Sequence, residues 1–205
     1  MKKVLLSVLV VAGMMGTTHA FAELQGDPAA GEQKTAACAG CHGADGNSAV
    51  GNFPKLAGQG APYLIKQLND VQSGERKIVE MTGILDGMSQ QDFADIAAFY
   101  ASKNISIGQA NPDLVSEGEL IYRAGIPAKG VPACTACHGP AGAGIDLAKF
   151  PALGGQHTDY TVKQLEMFRS GERANDGDAR VMRSIAARLS DREIEAVSSY
   201  ISGLH

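Results

Sequence analysis

Along the chain, apolar positions recur at helical rather than strand spacing. Phe93, Ile96, Ala97 and Tyr100 form one stripe and Ile194, Val197 and Ile201 another. Each stripe follows a start signal of the capping-box kind, Ser89-x-x-Asp92 and Ser190-x-x-Glu193, the second a full match and the first with Asp in place of Glu or Gln. Ala61 to Ser73 predicts a further helix, with Pro62 at its first turn and Gly74 where a helix end needs positive φ. Its counterpart starts with Thr158 as N-cap and Asp159 beside it and ends at Gly171. A shorter helix is expected from about Ala30 into the stretch 38–42, and another from about Val115 toward the stretch 134–138. Gly-rich stretches at 43–51 and 139–144 read as loops, and no run alternates like a strand. The expected class is all-α.

The elements repeat. Residues 53–76 align without gaps on residues 150–173, with 13 of 24 positions identical. The shared positions include Phe-Pro, Gly-Gln, Lys-Gln-Leu and Ser-Gly-Glu-Arg. Residues 81–100 then align on 182–201. A period near 100 residues is too long for a solenoid unit and reads as a duplicated domain. Asn, Gly and Pro interrupt the periodicity between Ser102 and Asp113. The expected divisions are 1–22, 23–108 and 109–205.

The first division has the form of a secretory signal: Lys2 and Lys3, an apolar run from Val4 to Met15, and small residues at Ala20 and Ala22. Cleavage is expected after Ala22, with Ala20 as the alternative. The apolar run is short for a membrane span, and no later stretch approaches the necessary length. An exported protein is therefore expected, periplasmic and at most peripherally attached to a membrane. Beyond residue 22, 16 Lys and Arg stand against 22 Asp and Glu, which argues against a nucleic-acid partner.

All four cysteines fall in two pentapeptides, Cys38-Ala-Gly-Cys41-His42 and Cys134-Thr-Ala-Cys137-His138. Cys-x-x-Cys-His is the attachment signature of c-type haem: two thiols two residues apart add to the two porphyrin vinyl groups, and the next histidine lies under the iron. A thioredoxin-like pair needs no histidine, and a joint four-cysteine zinc site leaves both histidines unexplained. A disulfide within each motif is compatible with an oxidising compartment. Haem accounts for all six residues.

An electron-transfer haem is closed by a second axial ligand, commonly methionine. Beyond the leader the methionines are Met81, Met88, Met167 and Met182. Met81 aligns with Met182, whereas Met88 aligns with Leu189 and Met167 with Asp70. Equivalent sites need equivalent ligands, so Met81 and Met182 are the candidates, and Met88 and Met167 are assigned to packing. His157 aligns with Gly60 and cannot serve both sites, His205 is the last residue, and His19 lies in the leader. Pro54 and Pro151 follow their motif histidines by 12 and 13 residues; each carbonyl could accept the Nδ1–H, or the proline could mark a plain turn. Gln59, Gln156, Tyr63, Tyr160, Arg76 and Arg173 are repeated polar residues that could bind propionates or lie on a helix surface.

With these motifs in place, the chain resembles the dihaem cytochrome c4 family of bacterial electron carriers. The resemblance rests on Cys38-x-x-Cys41-His42-Gly43, Asn52 to Gln59, Glu80-Met81-Thr82-Gly83 and their echoes at Phe150 to His157 and Val181-Met182-Arg183. It implies two class I cytochrome c folds about a pseudo-twofold axis, with propionates facing the domain interface. It also implies His42/Met81 and His138/Met182 ligation, and electron flow from the cytochrome bc complex toward a terminal oxidase of the cbb or another type. The Trp that often binds a propionate in monohaem relatives is missing. The expected activity is electron transfer by a monomer, without catalysis. The two competing readings are a dihaem peroxidase and a cytochrome subunit serving a periplasmic dehydrogenase. The halves carry about −4 and −2, and Arg180, Arg183, Arg188 and Arg192 surround Met182. Unequal haem potentials and a second half that docks an acidic partner are the resulting expectations.

Overall fold

The structure, a computed structural model, describes residues 24–205; the expected leader lies outside them. Among the described residues the fold is helical, with only two isolated antiparallel bridges, Ile126 with Val131 and Ile145 with Phe150. The first half contains α1 (Pro28–Lys34), α2 (Ala36–His42), α3 (Ala61–Ser73) and α4 (Gln90–Ala101). The second contains α5 (Val115–Ala124), α6 (Thr135–His138), α7 (Thr158–Ser170), α8 (Val181–Ala186) and α9 (Asp191–Ser202).

The local signals act as physical chemistry demands. Ser89 and Ser190 each complete a reciprocal capping box, Asp92 serving as well as Glu193. Gly74 and Gly171 end α3 and α7 at φ 81° and 82°, a conformation nearly free of cost for glycine.

Three expectations change. The helix into the first motif is broken at Thr35, whose hydroxyl takes the Glu32 carbonyl at 2.9 Å and diverts the backbone ladder into two helices. In the second half the break is wider: Gly125, at φ 71°, ends α5, and the motif forms its own short helix. Thr158 is the first residue of α7 rather than its cap; His157 holds that position, as Gly60 does for α3.

In each half the first helix crosses the last at a glycine. A Cβ on Gly31 would sit 2.1 Å from the Asp95 carbonyl oxygen, and one on Gly118 would sit 2.2 Å from that of Ala196. The apolar stripes are buried at these crossings. Ile96, Ala97 and Tyr100 join Leu64 and Phe99 in one core, and Val197 and Ile201 join Ile121, Tyr122 and Leu204 in another.

The halves meet through reciprocal hydrogen bonds. Gln156 accepts from the Lys55 N–H and donates to the Lys55 carbonyl, both at 2.9 Å. Gln59 accepts from the Ala152 N–H at 2.8 Å and donates to the Ala152 carbonyl at 3.0 Å. Lys55 aligns with Ala152 and Gln59 with Gln156, so one contact is made twice, as a twofold axis requires. The buried Lys55 ammonium also bonds the Ser106 carbonyl of the linker and, at 3.0 Å, that of Gly155.

Candidate functional site

The site residues are set out by α2 and α6. One helical turn places Cys38 and Cys41 on the same face, with His42 directly after; Cys134, Cys137 and His138 repeat the arrangement. Cys41 is exposed and the other three cysteines are half-buried. No group of three or more His, Cys, Asp and Glu side chains converges among the described residues, so the cysteine pairs do not meet in one site.

Both motif histidines are buried and held alike. His42 Nδ1 lies 2.9 Å from the Pro54 carbonyl, and His138 Nδ1 lies 2.9 Å from that of Pro151. A carbonyl can only accept, so the proton is on Nδ1 and each Nε2 keeps a free lone pair. Phe53 and Phe150 pack against the two rings at centroid distances of 6.4 and 6.2 Å. Burial lowers both imidazole pKa values, and the proline carbonyl opposes this only in part. Each imidazole is thus neutral and oriented, as a metal-ligating histidine must be.

Met81 closes a 3₁₀ turn, Val79–Met81, and Met182 lies in the first turn of α8; both are half-buried. Met88 packs against the first core, and Met167 sits on α7 with its sulfur 3.9 Å from the Gln164 amide. His157 Nε2 contacts the Ser48 carbonyl across the interface at 2.9 Å, and His205 is exposed.

The repeated polar residues converge between the halves. Arg76 donates to Gln67 at 2.7 Å, to Tyr160 at 3.0 Å and to Gln164 at 2.9 Å. Arg173 returns the pattern, donating to Gln164 at 2.8 Å, to Tyr63 at 3.1 Å and to Gln67 at 3.2 Å. Burial raises the Tyr160 pKa, but the two guanidinium charges outweigh it and leave the phenol below its ordinary value. Arg76 and Arg173 are each at least nine-tenths buried, yet neither forms an ion pair among the described residues. Asp70 is the one carboxylate that acts on Arg76, and it is already paired with Lys66, so two buried guanidinium charges share little counter-charge; a haem brings two carboxylates. The residues present therefore fit the group: paired thiols, a histidine with a free Nε2, and an excess of buried guanidinium charge.

Gln67 and Gln164 were not singled out in the sequence, although their place in the repeated Lys-Gln-Leu was the available signal. Asp70 and Asn175 break the twofold relation and left no such signal. Asp70 accepts from Lys66 at 2.5 Å and from Asn175 at 2.6 Å, where its counterpart is Met167. The arginines near Met182 are less free than their count suggests. Arg183 is bound to Asp176 at 2.5 Å, Arg192 to Glu117 at 2.9 Å, and Arg188 to the Gly130 carbonyl at 2.5 Å.

The cytochrome c family model matches residues 29–102 and 115–205. The chain is similar to cytochrome c4 of Pseudomonas aeruginosa, with 56% identity over 205 residues and all of both chains covered. It is similar to the crystal structure of reduced recombinant cytochrome c4 from Pseudomonas stutzeri, with a TM-score of 0.86 and 55% identity, covering 88% of this chain and 100% of that one. A thiosulfate dehydrogenase electron acceptor of Stutzerimonas stutzeri is 39% identical over 173 residues, covering 82% of this chain and 79% of that protein. Reciprocal halves, doubled Cys-x-x-Cys-His turns and end-to-end likeness have one reading: the chain belongs to the dihaem cytochrome c4 family, in which two cytochrome c domains carry covalently attached haem c and transfer electrons.

Proposed function

We propose that the protein is a periplasmic respiratory carrier, its two domains dividing at residues 108/109. Cys38 and Cys41 tether the first haem and Cys134 and Cys137 the second. His42 with Met81, and His138 with Met182, would be the iron ligands. When bound, the haems would supply one-electron ferric/ferrous chemistry. The neutral His42 and His138, fixed by proline carbonyls, are suited to remain ligated in both states, and a thioether partner favours the ferrous one. Arg76 and Arg173 offset propionate charge at the interface. Two protein ligands per iron would leave no position for peroxide or oxygen, and the chain would then carry electrons without catalysing a reaction. The observation that carries this reading is the identical histidine–proline contact in both halves.

The donor in this reading is the cytochrome bc complex and the acceptor a terminal oxidase of the cbb or another type, served by a monomer. A second reading has a periplasmic dehydrogenase as donor, supported by the likeness to a thiosulfate dehydrogenase electron acceptor. Reduction rates with each purified donor distinguish them. For the ligands, carbon monoxide leaves the spectrum of the reduced protein unchanged, while Met81→Ala and Met182→Ala each create binding at one haem. A native protein that binds carbon monoxide overturns the ligation and favours a peroxidase.

A further inference from the structure

The two halves differ in where they keep a tyrosine beside the first cysteine of the motif. Tyr100, on α4, is 1% exposed, and its hydroxyl has no hydrogen-bond partner; among the described residues only Ser198 Oγ shares that condition. An unpaired buried donor is costly, and such an atom needs an explanation. Burial pushes the Tyr100 phenol pKa up, and the Cys38 thiol and the Thr35 hydroxyl are among the groups that act on it. Cys38 packs against the same core, and Tyr100 is wedged there: a Cβ on Gly46 would lie 2.7 Å from its ring. Thr35 already donates its own hydroxyl hydrogen to Glu32.

In the second half the corresponding residue of α9 is Ile201, which has nothing to donate. The tyrosine comes instead from α5, four residues beyond the crossing glycine, where the first half has Thr35. Tyr122 gives its hydrogen to the Gly139 carbonyl at 2.7 Å. One half thus holds an uncommitted hydroxyl beside its cysteine, and the other does not.

We propose that Tyr100 donates its hydroxyl to the Cys38 sulfur once that sulfur is a haem thioether, and so raises the reduction potential of the first haem alone. This rests on Cys38 being an attachment residue. A thiol can donate or accept, whereas a thioether has lost its hydrogen and can only accept, so attachment turns Cys38 into a partner for the hydroxyl. Donation draws electron density from a ring substituent and favours the ferrous state. Tyr100 acts through Cys38 and is a positioning residue.

The test compares the native holoprotein with Tyr100→Phe, which removes one oxygen. Mass spectrometry of the haem-bearing peptide first checks attachment at Cys38, so a failure there is separate from a failure of the hydrogen bond. Redox titration is expected to move one of the two waves to lower potential and leave the other in place. That wave is the one displaced in Met81→Ala. Resonance Raman is expected to show a thioether C–S band that shifts in D2O in the native protein and in Tyr122→Phe, but not in Tyr100→Phe. Loss of packing alone gives no such isotope effect. A native C–S band insensitive to D2O, or two unmoved waves in Tyr100→Phe, overturns the proposal.

Discussion

Replacing Gln156 with alanine tests the interface at one amide. The side chain pairs with both main-chain groups of Lys55 at 2.9 Å, in a site where Lys55 and Gln156 are each more than nine-tenths buried. Truncation leaves a buried N–H and a buried C=O without partners. Each orphaned group costs about 1–3 kcal/mol, so the loss is about 2–6 kcal/mol. The equivalent Gln59→Ala frees the Ala152 groups, but Ala152 is only half-buried and water can replace part of the loss. Its cost is therefore smaller, about 1–2 kcal/mol. Guanidinium unfolding of the two holoproteins measures the difference as a shift in midpoint. A loss below about 1 kcal/mol for Gln156→Ala, or a larger loss for Gln59→Ala, would refute the reasoning.

Three further outcomes follow from contacts described above. Gly118→Ala forces a Cβ to 2.2 Å from the Ala196 oxygen, with backbone that cannot move aside; overpacking of about 1–3 kcal/mol outweighs about 1 kcal/mol of helix propensity, and thermal unfolding falls. Lys34, the Asp27 N–H and Gln91 hold Asp95 down to about 2, so its contribution to stability is present above the ordinary carboxylate pKa of about 4 and is lost as pH falls toward 2. Accordingly, Asp95→Asn is less stable than the native protein at neutral pH, and the gap closes on acidification in a pH series of unfolding curves. Ile194→Ala empties a site with no exposure and costs about 2–5 kcal/mol, read from the same unfolding curves.

What the sequence made legible was whatever is local or repeated. Ser89 and Ser190 announce their helices because a cap acts within four residues, and Gly74 and Gly171 announce the ends because positive φ is a single-residue property. The repeat singled out Met81 and Met182 from four methionines, and it marked Arg76, Arg173, Tyr63 and Tyr160 without saying what they touch. The break at Thr35 was missed because its cause, a hydroxyl competing for Glu32, does not alter the apolar pattern. The Asp70–Asn175 pair and the Lys55 ammonium contact were missed because each reaches across about 50 to 105 residues of chain and is not repeated in the other half. Counting arginines near Met182 overstated their freedom, since Asp176 and Glu117 meet two of them from other segments.

The paired amide rings formed by Gln59 and Gln156 have a corollary for the origin of the molecule. Each domain offers the same edge to its neighbour, and the Gln59 and Gln156 amides each pair with the main chain of the other copy. The chain is in that sense a homodimer written as one polypeptide, with residues 102–113 serving to keep the two copies concentrated near each other. Because the two copies share one chain, each position can differ between them, and Asp70 faces Asn175 with no mirror image across the axis.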